Sequence, residues 1–189
     1  MPAILLTGPP GCGKTTLLRQ VLDHLPDQPL IGFYTQEIRL RGARLGFHAI
    51  RLDGPKIVLA HKKNKGMSKI GRYGVDIEAF DQFFSDIIPD NELIILDEIG
   101  KMECLSELFC QTISRWLADD RPIFGTIPEK RNEYLQFLLD NNNIRLIEVT
   151  LENRGIIAPK IAASVRELSN PHKLQVSPVS SPAFLAPNE

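Results

Sequence analysis

Residues 8–15, with the sequence GPPGCGKT, decide the fold of this chain. They match the pattern G-x-x-x-x-G-K-[ST] in full, and the apolar run of residues 3–6 precedes them. Leucine and valine recur at helical spacing over residues 17–25, so the pattern predicts a buried strand, a glycine-rich turn and a helix. Because the backbone N–H groups of such a turn converge with the helix N-terminus on one anion, these residues predict a phosphate-binding loop.

The residue types within this loop have separate expected roles. Pro9 and Pro10 have no backbone N–H, so donation to phosphate falls to the residues from Gly11 onward. Lys14 is expected to place a catalytic cation between the β- and γ-phosphates, and Thr15 is expected to ligate Mg²⁺. The predicted nucleotide-binding residues of this loop are Gly8, Pro9, Pro10, Gly11, Cys12, Gly13, Lys14, Thr15 and Thr16.

Residues 93–98, with the sequence LIILDE, form the second half of the predicted site. Four consecutive apolar residues indicate a strand buried on both faces, which we expect next to the strand of the phosphate-binding loop. Asp97 is expected to hold Mg²⁺ through water, and Glu98 to orient and polarise the water that attacks the γ-phosphate. Thr126 ends a later predicted strand and is either a polar group near the γ-phosphate or an ordinary strand-end residue.

The remaining pattern predicts one α/β domain over residues 1–169, with a mostly parallel sheet flanked by helices. Alternating apolar positions around residues 42–43 predict an inserted antiparallel hairpin, and residues 61–73 are predicted to form a basic loop. Further helices are predicted from Asp76, over residues 104–117, from Pro128 and over residues 159–168. Residues 170–189 are rich in Ser and Pro and predict a flexible tail.

The composition is typical of a soluble globular protein. Of the 189 residues, 43% are hydrophobic and 24% are charged, which favours neither disorder nor a membrane protein. The apolar run near the first residue is too short for a signal peptide or a spanning helix. The three cysteines lack the spacing of a metal site or a disulfide framework, so we expect a reduced, cytoplasmic protein.

Positive charge is concentrated in residues 39–72, which we call the basic segment. It contains ten Lys or Arg and one acid, although the whole chain has a net charge of −1. Such asymmetry predicts a polyanionic partner, either nucleic acid or nucleotide phosphates, or alternatively a solvated hairpin face. Phe47 is the only aromatic residue in the segment, so base stacking on nucleic acid is not favoured. Arg39, Arg72 and Arg154 are the candidate arginines for neutralising phosphate.

Seven short motifs resemble, in the same order, those of the thermophile-type nucleoside-triphosphatases, P-loop NTPases that include the cancer-related nucleoside-triphosphatase. They are residues 8–16 (GPPGCGKTT), 32–35 (GFYT), 46–47 (GF), 71–73 (GRY), 97–103 (DEIGKME), 125–128 (GTIP) and 149–154 (VTLENR). The DEIGKME string is the specific element, because many families share the loop pattern. The resemblance covers about residues 3–168.

The resemblance implies a P-loop fold of the additional-strand type. It also implies Mg²⁺-dependent hydrolysis of several nucleoside triphosphates (ATP, GTP, CTP, UTP and TTP) to the diphosphate and phosphate. Beyond the loop, it implies nucleotide contacts at Leu93, Ile94, Ile95, Leu96, Asp97, Glu98, Ile99 and Gly100. Broad base choice agrees with the sequence, since the pair at residues 64–65 is not followed by the Asp of a guanine-reading N-K-x-D element. We expect a monomer without membrane attachment.

Two other functions stay open at this point. A P-loop kinase would pass the γ-phosphoryl group to a small acceptor, although Glu98 beside Asp97 favours water as the nucleophile. A nucleic-acid-associated ATPase or nucleotide-driven switch would explain the basic segment. Phosphate release without an acceptor, measured with and without RNA or DNA, separates the three.

Overall fold

A mixed β-sheet forms the centre of the computed structural model, which describes residues 3–65, 68–141 and 144–169. The strands are β1 (Ala3–Thr7), β2 (Leu30–Leu40), β3 (Ala43–Arg51), β4 (Lys56–His61), β5 (Lys69–Ile70), β6 (Tyr73–Val75), β7 (Leu93–Asp97), β8 (Ile123–Thr126) and β9 (Ile144–Glu148). Their order across the sheet is β5-β6-β4-β3-β2-β7-β8-β1-β9. The five strands from β2 to β9 in this order pair in parallel, and those from β5 to β2 pair antiparallel. The predicted tail of residues 170–189 lies outside the described residues.

Helices cover both faces of this sheet. They are α1 (Lys14–Asp23), α2 (Ile77–Ser85), α3 (Glu107–Ala118), α4 (Glu133–Asn141) and α5 (Ala158–Ser169). Because side chains alternate across a strand, Leu5 of β1 packs with α2, α3 and α4, whereas Leu6 packs with α1 and α5. The α/β fold with a central, flanked sheet is therefore confirmed. No helix in the described ranges is both long and apolar enough to cross a membrane.

The strand β8 lies between β1 and β7. The expectation that the strand of Asp97 is next to the strand of the phosphate-binding loop is therefore wrong. Gly125 of β8 pairs with Leu5 of β1 on one side and with Leu96 of β7 on the other. A Cβ on Gly125 would lie 2.4 Å from the Leu96 carbonyl oxygen, so this close approach requires glycine. The inserted strand is the additional strand that the motif resemblance implied.

The antiparallel half of the sheet begins at β2, a long strand that pairs with β7 on one side and with β3 on the other. Its first residues pair in parallel with β7, and residues from Phe33 onward pair with β3. The predicted hairpin is confirmed, with Arg41 and Gly42 in the left-handed region at its turn. The expectation of a loop over residues 61–73 is wrong in part, because β5 pairs with β6 across a turn at Gly71.

The helix predicted over residues 104–117 begins later than expected. The Ser106 side chain accepts a hydrogen bond from the Phe109 backbone N–H at 2.9 Å, which caps the helix. α3 therefore begins at Glu107, and Glu103–Leu105 form a separate 3-10 turn. The cap places residue 103 in a tight turn that follows β7 instead of on the helix.

The helix predicted to begin at Pro128 also begins later. The Asn132 side chain accepts a hydrogen bond from the Leu135 backbone N–H at 2.9 Å, so α4 begins at Glu133. Pro128 lies in the connection before it. The cap at Asp76, which accepts from the Ala79 backbone N–H at 3.1 Å, agrees with the predicted start of α2.

Candidate active site

The phosphate-binding loop connects β1 to α1 at the edge of the sheet where the parallel strands end. Gly8 and Gly13 have φ angles of 145° and 108°, in the region that favours glycine. A Cβ on Gly8 would lie only 2.6 Å from the Val149 carbonyl oxygen. In the described structure no side chain caps α1, and its first turn contains no acid. The first N–H groups of α1 therefore face an environment suited to an anion.

Two cationic side chains contact this loop. The Lys14 ammonium group donates a hydrogen bond to the Gly8 carbonyl oxygen at 2.9 Å, so the side chain folds back over the loop. Arg154, in the connection from β9 to α5, donates from Nη1 to the Cys12 carbonyl oxygen at 3.2 Å. Of the three candidate arginines, Arg154 is thus the one that the structure brings to the loop.

The other two candidate arginines lie in the antiparallel half of the sheet. Arg39 forms an ion pair with Glu37, with 2.6 Å between Nε and Oε2, and half of its side chain is exposed. The Arg72 guanidinium carbon lies 5.5 Å from the centre of the Tyr73 ring. Neither side chain contacts the phosphate-binding loop in the described structure.

Asp97, at the end of β7, is hydrogen-bonded both to the phosphate-binding loop and to β8. Its Oδ1 accepts hydrogen bonds from the Thr15 hydroxyl at 3.1 Å and from the Thr126 hydroxyl at 2.6 Å. Its Oδ2 is buried and has no hydrogen-bond partner among the residues described. Burial raises the pKa of Asp97, against the hydrogen bonds from Thr126 and Thr15 and the charges of Arg19 and Lys14. Thr126, which the sequence left open, thus contacts the acid of the site.

Glu98 follows Asp97 and is half-buried on the wall of a cavity of about 210 Å³. Burial raises the pKa of the Glu98 carboxyl, the charge of Lys14 lowers it, and that of Asp97 raises it further. Thr35 and Phe47 of the antiparallel half line the same cavity. A carboxylate on an open cavity has room for a water molecule and can accept a proton from it.

Four predicted nucleotide contacts form the interior of β7 and have no exposed surface. These residues are Leu93, Ile94, Ile95 and Leu96. Their packing fixes the end of the strand, and the Ile99 backbone N–H donates to the Thr126 carbonyl oxygen at 2.8 Å. We therefore expect the four apolar residues to position Asp97 and Glu98, and a direct role of residues 97–100 at the nucleotide stays a prediction.

Glu103 is a buried acid that the sequence reasoning did not assign to the site. It is 4% exposed and lines the same cavity as Glu98. Its place at the end of the DEIGKME string was the only available signal. A charged residue in a 3-10 turn has no periodic pattern from which burial can be predicted.

Comparisons with known proteins identify one family of similar chains. A family model described as NTPase matches residues 3–162. The chain is 34% identical over 182 residues to the cancer-related nucleoside-triphosphatase of Homo sapiens, and the match covers 86% of this chain and 96% of that protein. It is also 34% identical over 171 residues to the nucleoside-triphosphatase THEP1 of Natranaerobius thermophilus, with 87% and 96% covered.

Two solved structures have the same fold. The crystal structure of THEP1 from Aquifex aeolicus has a TM-score of 0.77 and 31% identity, and the match covers 87% of this chain and 99% of that one. The solution structure of a human cancer-related nucleoside triphosphatase has a TM-score of 0.74 and 32% identity, with 88% and 98% covered. Both matches leave only a small part of this chain without a counterpart.

Proposed function

This chain belongs to the nucleoside-triphosphatase family that its motifs resemble, and from that membership we propose how it cleaves nucleoside triphosphates. We propose that Mg²⁺ is required, that ATP, GTP, CTP, UTP and TTP are all substrates, and that Glu98 activates the attacking water. One observation carries this proposal. The Asp97 carboxylate accepts hydrogen bonds from Thr15 of the loop and from Thr126 of β8, which supports a role for the neighbouring Glu98 at the phosphates.

Magnesium fits the donor atoms around Asp97. Its buried Oδ2 lacks a hydrogen-bond partner among the described residues, and such an atom is costly unless a cation or water reaches it. Thr15 and Asp97 would hold the metal, Asp97 through water, and both offer the oxygen ligands that Mg²⁺ prefers. When bound, Mg²⁺ supplies positive charge to the β- and γ-phosphate oxygens.

Groups of the phosphate-binding loop and its neighbours neutralise the negative charge of the triphosphate. The N–H groups at the start of α1 point to the phosphates, as in other helix N-terminal anion sites. Lys14 exchanges its hydrogen bond with the Gly8 carbonyl oxygen for the β- and γ-phosphates. Arg154 lies against the loop at Cys12 and adds a second cation there. These contacts orient the nucleotide so that its γ-phosphate faces Glu98.

The chemical step is an in-line attack of water on the γ-phosphorus. Glu98 accepts a proton from the water while the oxygen–phosphorus bond forms and the bond from phosphorus to the β-phosphate bridging oxygen breaks. The products are the nucleoside diphosphate and inorganic phosphate. Burial raises the pKa of Glu98, and the charge of Lys14 opposes that shift and so favours the ionised form, which accepts the proton.

Broad base specificity is expected because the contacts that we can assign are made to the phosphates and not to the base. Every motif that we can assign binds the triphosphate, and the chain lacks the N-K-x-D pattern that reads guanine. Strong discrimination between bases requires dedicated hydrogen bonds that leave a polar group unpaired when the wrong base binds. We therefore expect kcat/KM values for ATP, GTP and at least one pyrimidine triphosphate within about a hundredfold of each other.

Phosphate release tests this proposal. The full chain is incubated with each of the five triphosphates, with Mg²⁺ or EDTA, and without any phosphoryl acceptor. We expect release from all five with Mg²⁺ and none with EDTA. A preference above about a thousandfold for one base would overturn the broad specificity, because that ratio needs dedicated base contacts.

The same assay addresses the two alternatives. A kinase would release phosphate only slowly until a small acceptor is added, and a nucleic-acid-associated ATPase would accelerate on addition of RNA or DNA. We expect neither dependence. Tight, strongly salt-dependent binding of an oligonucleotide by the wild-type chain would instead favour the nucleic-acid alternative.

A further inference from the structure

The buried carboxyl group of Glu103 lies beside the candidate active site and has no cationic partner among the described residues. The side chain is 4% exposed, and none of the ion pairs in the described structure includes it. An unpaired acid of this kind is costly to bury in its charged form. The mechanism proposed above does not use Glu103, so its place beside the site needs its own explanation.

Glu103 and Glu98 approach each other over Gly100. A Cβ built on Gly100 would lie 2.6 Å from Glu103 Oε2 and 2.9 Å from Glu98 Oε1. The two oxygens are therefore at most about 5.5 Å apart, the sum of those distances. Any side chain at position 100 would separate them, so Gly100 permits the two carboxyl groups to share this space.

Backbone hydrogen bonds close the segment between the two acids. The Glu103 carboxyl lies close to the backbone N–H groups of Gly100 and of Glu103 itself, which lower its pKa against the larger effect of burial. The Cys104 backbone N–H donates to the Gly100 carbonyl oxygen at 3.0 Å. Both the side chain and the backbone of this turn thus hold Gly100, two residues after Glu98.

We propose that Glu103, packed against Gly100, is a positioning residue that holds residues 98–100 so that the Glu98 carboxylate faces the cavity. This inference rests on the proposed role of Glu98 as the base. Glu103 touches neither the phosphates nor the water in this account, and it acts only through the placement of Glu98.

Burial and the nearby negative charges favour the protonated form of the Glu103 carboxyl at neutral pH. Burial raises the pKa of Glu103 to about 8, and the negative charges of Glu98 and Asp97 act in the same direction. Lys101 lines the same cavity, and the Cys104 thiol is the neighbouring titratable group on the turn. Above that pH, Glu103 becomes a second negative charge close to Glu98, so the two acids repel and the turn no longer holds Glu98 in place.

The test compares Glu103→Gln, Glu103→Ala and the control Glu107→Gln, which removes an exposed acid four residues later. kcat and KM for phosphate release from Mg²⁺-ATP are measured from pH 6 to pH 9.5, with melting temperatures as a check on folding. We expect the wild-type kcat to fall about tenfold from pH 7 to pH 9, as a pKa of about 8 requires. Glu107→Gln should follow the wild type.

Glu103→Gln stays neutral at every pH, so we expect wild-type kcat at pH 7 without that alkaline fall. Glu103→Ala should lower kcat at pH 7 by roughly 10-fold or more with little change in KM, since misplacing a catalytic group affects turnover. An alkaline fall in Glu103→Gln equal to that of the wild type would overturn the proposal, and so would loss of activity in Glu103→Gln at all pH values. Failure of the Glu98 base itself is recognised separately, by wild-type turnover in Glu98→Gln.

Discussion

The two halves of the sheet differ in where their charged side chains lie and in what they contact. At the parallel half, Asp97 and Glu103 are buried, and two hydroxyl groups donate hydrogen bonds to Asp97. In the antiparallel half, arginines of the basic segment form ion pairs with nearby acids at the surface, as Arg39 does with Glu37. Exposed ion pairs of this kind contribute only about 0–1 kcal/mol to the free energy of unfolding. Removing one partner of a buried acid costs more, because the acid is then left buried without compensation.

A count of positive charges therefore does not locate a phosphate site. The basic segment has the larger excess of Lys and Arg, but Glu37, Asp53 and Asp86 neutralise part of it locally. The phosphate-binding loop has few charges, and in our proposal its anion affinity comes from backbone N–H groups, Lys14 and Arg154. Substitutions in the two halves should therefore differ strongly in effect.

The largest effect is expected for Lys14→Ala. The substitution removes the cation that faces the β- and γ-phosphates, so both nucleotide affinity and turnover should fall. We expect kcat/KM to drop by roughly 10³, the scale for a lost electrostatic contact in the transition state. Steady-state phosphate release and equilibrium binding of the diphosphate measure the two losses. Unchanged affinity in the variant would contradict the placement of Lys14 at the phosphates.

A smaller effect is expected for Asp97→Asn, which alters the metal environment. The amide retains the size of Asp97 but not its charge, so the Mg²⁺ concentration at half-maximal rate should rise by roughly 10- to 100-fold. Titration of activity with Mg²⁺ at saturating ATP measures this shift. A variant with the wild-type Mg²⁺ dependence would show that the metal is held elsewhere.

Glu103→Gln should change how stability depends on pH. Burial raises the pKa of Glu103 from 4.5 to about 8, so its stabilising contribution is complete below pH 4.5 and is lost as the pH rises to about 8. In urea unfolding, the free energy of unfolding of the wild type relative to Glu103→Gln should fall by about 1 kcal/mol per pH unit in that window. Parallel curves for the two proteins would show that Glu103 is ionised in the folded state.

The smallest effect is expected for Arg39→Ala in the antiparallel half. Its pair with Glu37 is exposed, so the free energy of unfolding should change by less than about 1 kcal/mol and kcat/KM by less than about twofold. Arg154→Ala is the matched control from the parallel half and should weaken nucleotide binding by about tenfold. If Arg39→Ala proves the more damaging of the two, the contrast between the halves is wrong.

Local patterns predicted much of this molecule. The loop at residues 8–15, the buried strand before Asp97 and the start of a helix near Asp76 each depend on neighbours in sequence, and the structure contains all three. The position of β8 between β1 and β7 depends on how distant strands pair, which periodicity does not encode. The hydrogen bond from Thr126 to Asp97 follows from that pairing and was accordingly left open by the sequence.

The predicted starts of α3 and α4 were both too early, and the cause is local in both cases. The starts of α3 and α4 were predicted from apolar spacing and from Pro128, but Ser106 and Asn132 cap the helices later. Both residue types are also common in turns, so their role as caps becomes evident only when the following N–H is seen to point to them. The burial of Glu103 is a consequence of the turn that the later start of α3 creates.

In the proposed mechanism, Glu98 activates water while the loop and Asp97 bind the nucleotide. Glu98→Gln tests it most directly, because the amide keeps the size of the side chain and removes its ability to accept a proton. Turnover is measured as single-turnover phosphate release from Mg²⁺-ATP, and binding is measured calorimetrically with a non-hydrolysable ATP analogue. We expect wild-type affinity with turnover lower by roughly 10² or more. Turnover at the wild-type rate would contradict the account and place water activation on another group.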